Sequence, residues 1–130
     1  MLISADQLLC HAIGDYVLQS NWMATEKTKR SLPAFVHVLS YGLPFLFLRP
    51  SLLALFVIVS THFVIDRWRL ARYLVWAKNT IAPFDQQEPW RDCAATGYPA
   101  ETPPYLAVWL MILADNICHV LINGLALKYL

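Results

Sequence analysis

Apolar residues along this chain gather in four long stretches, and the polar residues inside them recur at helical spacing. The first, LLCHAIGDYVLQ, predicts a helix over about residues 5–19, with Ser4 and Gln7 spaced as a capping box. It is short and polar for a lone membrane span, which fits a span inside a bundle or a half-inserted helix. A polar, basic link follows, NWMATEKTKR. The second stretch, PAFVHVLSYGLPFLFL, predicts a helix over about 33–48 with Ser31 as its cap and Pro33 in its first turn. Gly42 and Pro44 should bend it. Arg49-Pro50-Ser51 is a tight connection, so the second and third helices form an antiparallel hairpin. The third starts near residue 51 with SLLALFVIVSTHFVID and continues through RWRLARYLVWAK to about 78. Its second half mixes Arg67, Arg69 and Arg72 with Trp68, Tyr73 and Trp76, which suits a membrane interface. Residues 79–103 read as a long, Pro-rich loop whose acids, Asp85, Glu88 and Asp92, are expected in solvent. The fourth stretch, YLAVWLMILADNICHVLINGLAL, predicts a helix over about 104–127, long enough to span a bilayer.

Within these helices His and Asp pair at a spacing of four: His11/Asp15, His62/Asp66 and, reversed, Asp115/His119. Such a spacing puts both side chains on one helix face. Ionisable residues in segments this apolar are costly and point to function.

Composition agrees with a membrane setting. Hydrophobic residues make up 58% of the 130 residues and charged residues 15%, where soluble domains are about 45–50% apolar and about 25% charged. The expected fold is all-α: a single domain over 1–130, a four-helix integral membrane bundle with a long cytoplasmic loop between the third and fourth helices. A net charge of +1 gives no basis for nucleic-acid binding. Cys10, Cys93 and Cys118 form no CxxC pair and read as small buried hydrophobes rather than a disulfide framework or zinc finger. The N-terminus lacks the features of a cleaved signal peptide and is expected to be retained.

Lys27, Lys29 and Arg30 lie in the first link, and Arg67, Arg69, Arg72, Lys78 and Arg91 between the apolar parts of the third and fourth helices. The positive-inside rule then predicts both links in the cytoplasm and both termini outside. That topology accounts for the reversed pair. Every Asp falls nearer the cytoplasm and every His about one turn deeper, giving a tier of His11, His62 and His119 and a tier of Asp15, Asp66 and Asp115. His37, about one turn from the cytoplasmic end of its helix, could join the Asp tier.

Imidazoles and carboxylates facing inward from several helices suit a divalent transition metal: zinc, manganese or iron. The candidate ligands are His11, Asp15, His37, His62, Asp66, Asp115 and His119. A metal also relieves the repulsion among clustered carboxylates. An open coordination position would activate water, giving a metal-dependent hydrolase of a lipid-linked or phosphoester substrate. Asp66 or Asp115 could then be the catalytic base. Two other readings stay open: a non-enzymatic protein that regulates a membrane partner, its His/Asp set serving as interhelical glue, and a small oligomeric proton or ion conductor. The expected partners are the lipid bilayer, a membrane protein or a second copy.

At these residues the chain resembles the short bacterial and phage membrane proteins classed as domain of unknown function 3307. The resemblance rests on His11-Ala-Ile-Gly-Asp15-Tyr16-Val-Leu-Gln19, on Asn21-Trp22-Met23-Ala24 with Lys27, and on His37-Val-Leu-Ser-Tyr41. It continues in Thr61-His62-Phe63-Val64-Ile65-Asp66 and Asp115-Asn116-Ile-Cys-His119. Tyr16 stands where Phe is expected and Asn116 where Gln is expected. The resemblance implies a multi-pass protein of the bacterial inner membrane and brings no activity with it.

Overall fold

The computed structural model describes residues 2–130, and these are helical, with no strand among them. They divide into two compact units. The residues up to Arg69 together with Cys118–Leu130 form the first, and Leu70–Ile117 the second.

In the first unit, α1 (Ala5–Ala12) is capped by Ser4, whose hydroxyl accepts from the Gln7 amide at 3.2 Å. Only half of the expected capping box forms. The Gln7 side chain donates instead to the Val120 carbonyl at 2.6 Å, and Gln7 is buried. The helix expected over 5–19 is not uniform. Ile13–Val17 is a π-helical turn, closed by a bond from the Leu18 amide to the Ile13 carbonyl at 2.9 Å. The polar link is also partly ordered. Asn21–Glu26 form α2, capped by Ser20.

α3 (Ser31–Phe45) begins one residue after Arg30, so Ser31 lies inside the helix and is not its cap. The Ser31 hydroxyl accepts from Arg67 at 3.4 Å instead. Pro44 leaves the Ser40 carbonyl without its usual helical donor, and the chain tightens into a 3-10 turn over Leu46–Leu48. Arg49 then takes a left-handed conformation, φ 51°, and α4 (Leu52–Trp68) starts under a Ser51 cap. Left-handed backbone disfavours a residue with a Cβ. Arg49→Gly is therefore expected to raise stability by about 0.5–1 kcal/mol, part of the relief being offset by the freer unfolded chain. The thermal unfolding midpoint reads this; a fall would mean that the Arg49 side chain itself stabilises the turn.

The helix expected from about 51 to 78 is two helices. α4 ends because Arg69, φ 53°, adopts the left-handed cap conformation, and α5 (Ala71–Asn79) begins two residues later. The mixture of cations and rings in α5, expected to anchor the chain at an interface, holds the second unit's loop. Arg72 donates to the Ala94 carbonyl at 2.9 Å, Trp76 to the Glu88 carbonyl at 3.1 Å, and Lys78 to the Tyr98 hydroxyl at 2.6 Å. Trp90, at the start of α6 (Trp90–Cys93), stacks on Tyr73 at 4.4 Å. Gly97, at φ 86°, lets the loop lie against the Arg72–Trp76 backbone, where a Cβ would collide. Cys93 is buried, and burial first, then the nearby Glu88, Asp92 and Glu101, push its thiol up, so it packs rather than reacts. Asp85, Glu88 and Asp92 are exposed.

α7 (Pro104–Tyr129) is the longest helix. It and Ser31–Leu48 are long and apolar enough to cross a membrane. The two remaining segments of the expected four-span bundle do not meet that length: α1 is interrupted by its π turn and α4 stops at Trp68.

Polarity in the first unit is inverted relative to a water-soluble bundle. On α3, Leu32, Phe35, Leu39 and Leu43 are exposed, while His37, Val38, Tyr41 and Phe45 are buried. α4 likewise exposes Leu52, Leu53, Phe56 and Val64 and buries Ile58, His62 and Asp66. An apolar cluster of Cys10, Tyr41, Phe45, Ala54, Ile58 and Ala126 closes the interior beside these polar groups.

Candidate metal centre

Four helical segments of the first unit send polar residues inward, one helical turn apart. They are Gln7, His11 and Asp15 from α1 and its π turn, His37 and Tyr41 from α3, His62 and Asp66 from α4, and His119 and Asn123 from α7. All of these residues are buried.

At the centre, one atom each from Asp15, His37, His62 and Asp66 converge, all within 4.8 Å of one another. His37 Nε2 lies 3.2 Å from Asp15 Oδ1, 3.2 Å from Asp66 Oδ2 and 3.0 Å from His62 Nε2. His62 Nε2 lies 3.4 Å from Asp15 Oδ1 and 3.2 Å from Asp66 Oδ2. Hydrogen bonds cannot satisfy these five separations together. Each imidazole nitrogen carries at most one hydrogen and a carboxylate carries none to give. One cation at the middle satisfies all of them. Ligands about 2.0–2.2 Å from a tetrahedral ion are about 3.3–3.6 Å apart, and the observed separations are slightly tighter than that. Two imidazoles and two carboxylates are also a donor set that a divalent transition metal accepts. The cluster could hold a metal ion.

The other predicted residues stand differently. His119 Nε2 lies 3.2 Å from Asp66 Oδ1, on the carboxylate oxygen that faces away from the four-atom cluster. His11 Nδ1 is 2.9 Å from the Tyr41 hydroxyl, and its Nε2 is 3.8 Å from Asp15 Oδ2. Both rings thus touch the outer oxygen of a cluster carboxylate. Asp115 stands one turn ahead of His119 on α7 and belongs to the second unit. The rings of the expected His tier neighbour one another, His62 and His119 at 4.0 Å and His11 and His119 at 5.9 Å, and Asp15 and Asp66 of the Asp tier come together with His37. The reach of an imidazole spans the helical turn that separates it from Asp, so His62 Nε2 and Asp66 Oδ2 meet, and His37 joins them from the facing helix.

Metal-bound histidines usually donate their second nitrogen to an outer partner. Here His37 Nδ1 and His62 Nδ1 are buried without a hydrogen-bond partner among the described residues. Stacking orients the rings instead. Tyr41 lies face to face with His62 at 3.7 Å, and His62 with His119 at 4.0 Å. Asn123 donates to the Tyr41 hydroxyl at 2.6 Å and fixes that ring in turn.

Sequence reasoning placed Lys27 among the cations of a basic link expected on the cytoplasmic side, and not in the site. It reaches the centre: its Nζ is 2.6 Å from Asp66 Oδ2, 3.3 Å from His37 Nε2 and 4.0 Å from Asp15 Oδ1. The link that carries it is held by Arg67, which donates to the Thr28 and Lys29 carbonyls at 2.8 and 3.1 Å. Tyr41, Asn123 and Gln7 were missed as well. The available signal was spacing: Gln7 precedes His11 by four, Tyr41 follows His37 by four and Asn123 follows His119 by four. Asn116 donates to its own helix at the Ile112 carbonyl.

An all-helical chain whose interior is a buried His/Asp cluster able to hold a metal is the class that fold and site define. The chain belongs to the family described as a protein of unknown function, DUF3307, whose model matches residues 3–88. Asp15, Lys27, His37, His62 and Asp66 all fall within the match. Neither the curated proteins nor the solved structures give a match.

Proposed function

We propose that this chain is an integral membrane protein that holds a divalent transition metal in its helical interior through Asp15, His37, His62 and Asp66. The observation that carries the reading is the five donor separations of 3.0–3.4 Å among four buried atoms. The membrane setting is supported by the two long apolar helices and by the apolar outward faces of α3 and α4. In water those faces would be a large exposed apolar surface. In lipid they are solvated, and the polar interior is what joins the helices. On this reading the chain is multi-pass in a bacterial inner membrane, with its basic links cytoplasmic.

Four protein donors complete a tetrahedron, which is the pattern of a structural metal site. The metal would lock α1, α3 and α4 together, and the apolar outer faces would meet a membrane partner or a second copy. A hydrolase acting on a lipid-linked or phosphoester substrate is the second reading. Lys27 favours it: its side chain is 17% exposed and leads to Asp66 Oδ2, so an anionic group following that path meets a cation and then the centre. Hydrolysis also requires a coordination position for water.

The test is elemental analysis of the detergent-purified protein beside His37→Ala and His62→Ala. Stoichiometric zinc, manganese or iron is expected in the parent and less than a tenth of it in either variant. A parent that takes up none of the three after reconstitution refutes the metal reading. X-ray absorption then separates the two functions: four protein ligands mark a structural site, and a bound water marks a hydrolytic one.

A further inference from the structure

Lys27 shares its partners with the candidate metal. Its ammonium lies on the side of the cluster bounded by Asp15, His37 and Asp66, closest to Asp66 Oδ2 at 2.6 Å, an oxygen that is also one of the four converging donors. Charge arithmetic sets the two cations against each other. Two carboxylates and a divalent ion sum to zero. Adding the ammonium leaves one positive charge in a buried site, and an uncompensated buried charge is strongly disfavoured. Two carboxylates with the ammonium alone leave one negative charge, so Lys27 is a partial substitute for the metal.

The fold gives Lys27 somewhere to go. It stands at the C-terminal end of α2, a six-residue helix on the unit's surface, followed by the exposed Lys29 and Arg30. Four side-chain torsions separate its backbone from its ammonium, so the head can reach solvent without moving α3 or α4. We propose that Lys27 is a tethered cation that competes with the metal for Asp15 and Asp66: it neutralises the centre before loading and swings out when the metal enters. This rests on the metal-binding reading above, and it makes Lys27 the residue that sets how tightly the centre holds its ion.

Two measurements on the full-length protein in detergent test it. Zinc titration compares the wild type with Lys27→Met, which keeps the length and packing of the side chain and removes the charge. Lys27→Met is expected to bind zinc at least tenfold more tightly. Independently, amine labelling of the wild type, read residue by residue by mass spectrometry, should show Lys27 modified several-fold faster with saturating zinc than without, while Lys29 is unchanged. The labelling needs no variant, so it stands even if Lys27→Met fails to fold. Weaker zinc binding by Lys27→Met, or labelling of Lys27 that zinc leaves unchanged or slows, would overturn the competition while leaving the metal centre in place. Zinc binding by neither protein would remove the metal reading itself, and the competition with it.

Discussion

Asp66→Ala is expected to strip the protein of its metal and to lower its stability by about 3–5 kcal/mol, the cost of removing one partner from a buried ionic cluster. The effect is large because one carboxylate serves four groups. Oδ2 faces His37, His62 and Lys27, and Oδ1 faces His119. Deletion leaves the Lys27 ammonium and three buried rings without it. Denaturant unfolding in micelles and metal analysis read the two losses together. Asp92→Ala is the comparison: Asp92 is exposed and paired with exposed Arg91, and its loss should stay within about 0.5 kcal/mol. An Asp66→Ala protein with full metal content, or one as stable as Asp92→Ala, would show that Asp66 does not organise the interior.

Gly14→Ala should have the second-largest effect, although it removes no ligand. A Cβ at Gly14 would sit 2.7 Å from Tyr41 Cδ2, 2.9 Å from the Tyr41 carbonyl oxygen and 3.1 Å from Tyr41 Cα. Two of these neighbours are backbone and cannot rotate aside, so the π turn and α3 must separate. Overpacking of this kind costs about 1–3 kcal/mol. Asp15 is the next residue and His37 lies one turn from Tyr41, so the separation pulls two donors apart. Metal affinity is expected to fall at least tenfold alongside stability. Gly42→Ala provides the contrast. Its Cβ would meet Val59 Cγ2 at 2.9 Å, the end of a side chain that can turn, and the loss should be under about 1 kcal/mol. Equal effects at the two glycines would mean that the approach of Gly14 to Tyr41 is not what holds Asp15 in place.

The His/Asp pairs were legible because helical spacing survives in sequence, and the apolar runs around them marked those residues as interior. His62 and Asp66 illustrate this: both lie on α4 and meet one turn apart, as periodicity requires. Periodicity along one helix says nothing of rotation about it, so it could not tell that Asp66 would engage neighbours through both carboxylate oxygens or that His11 would turn to Tyr41. Lys27 was illegible for a different reason. Its neighbours are Glu26, Lys29 and Arg30, a solvated composition, and only the folding of α2 and the hold of Arg67 on the link bring it inward. The break at Arg69 was hidden as well. Nothing in RWRLARYLVWAK forbids a continuous helix, and no Gly or Pro announces the left-handed residue that stops α4.

The π turn at Ile13–Val17 has a consequence for how this chain can vary. Each residue advances an α-helix by about 100°. A turn closed five residues back, as the bond from Leu18 to Ile13 is, holds one residue more than an α-helical turn, a feature that recurs at functional sites. The segment from Ser4 to Leu18 is therefore a phase-setting device. It keeps Gln7 aimed at Val120 while aiming Asp15 at His37, two directions that a plain helix would couple rigidly. A one-residue deletion between Ile13 and Val17 would re-time the helix and turn the first carboxylate out of the interior.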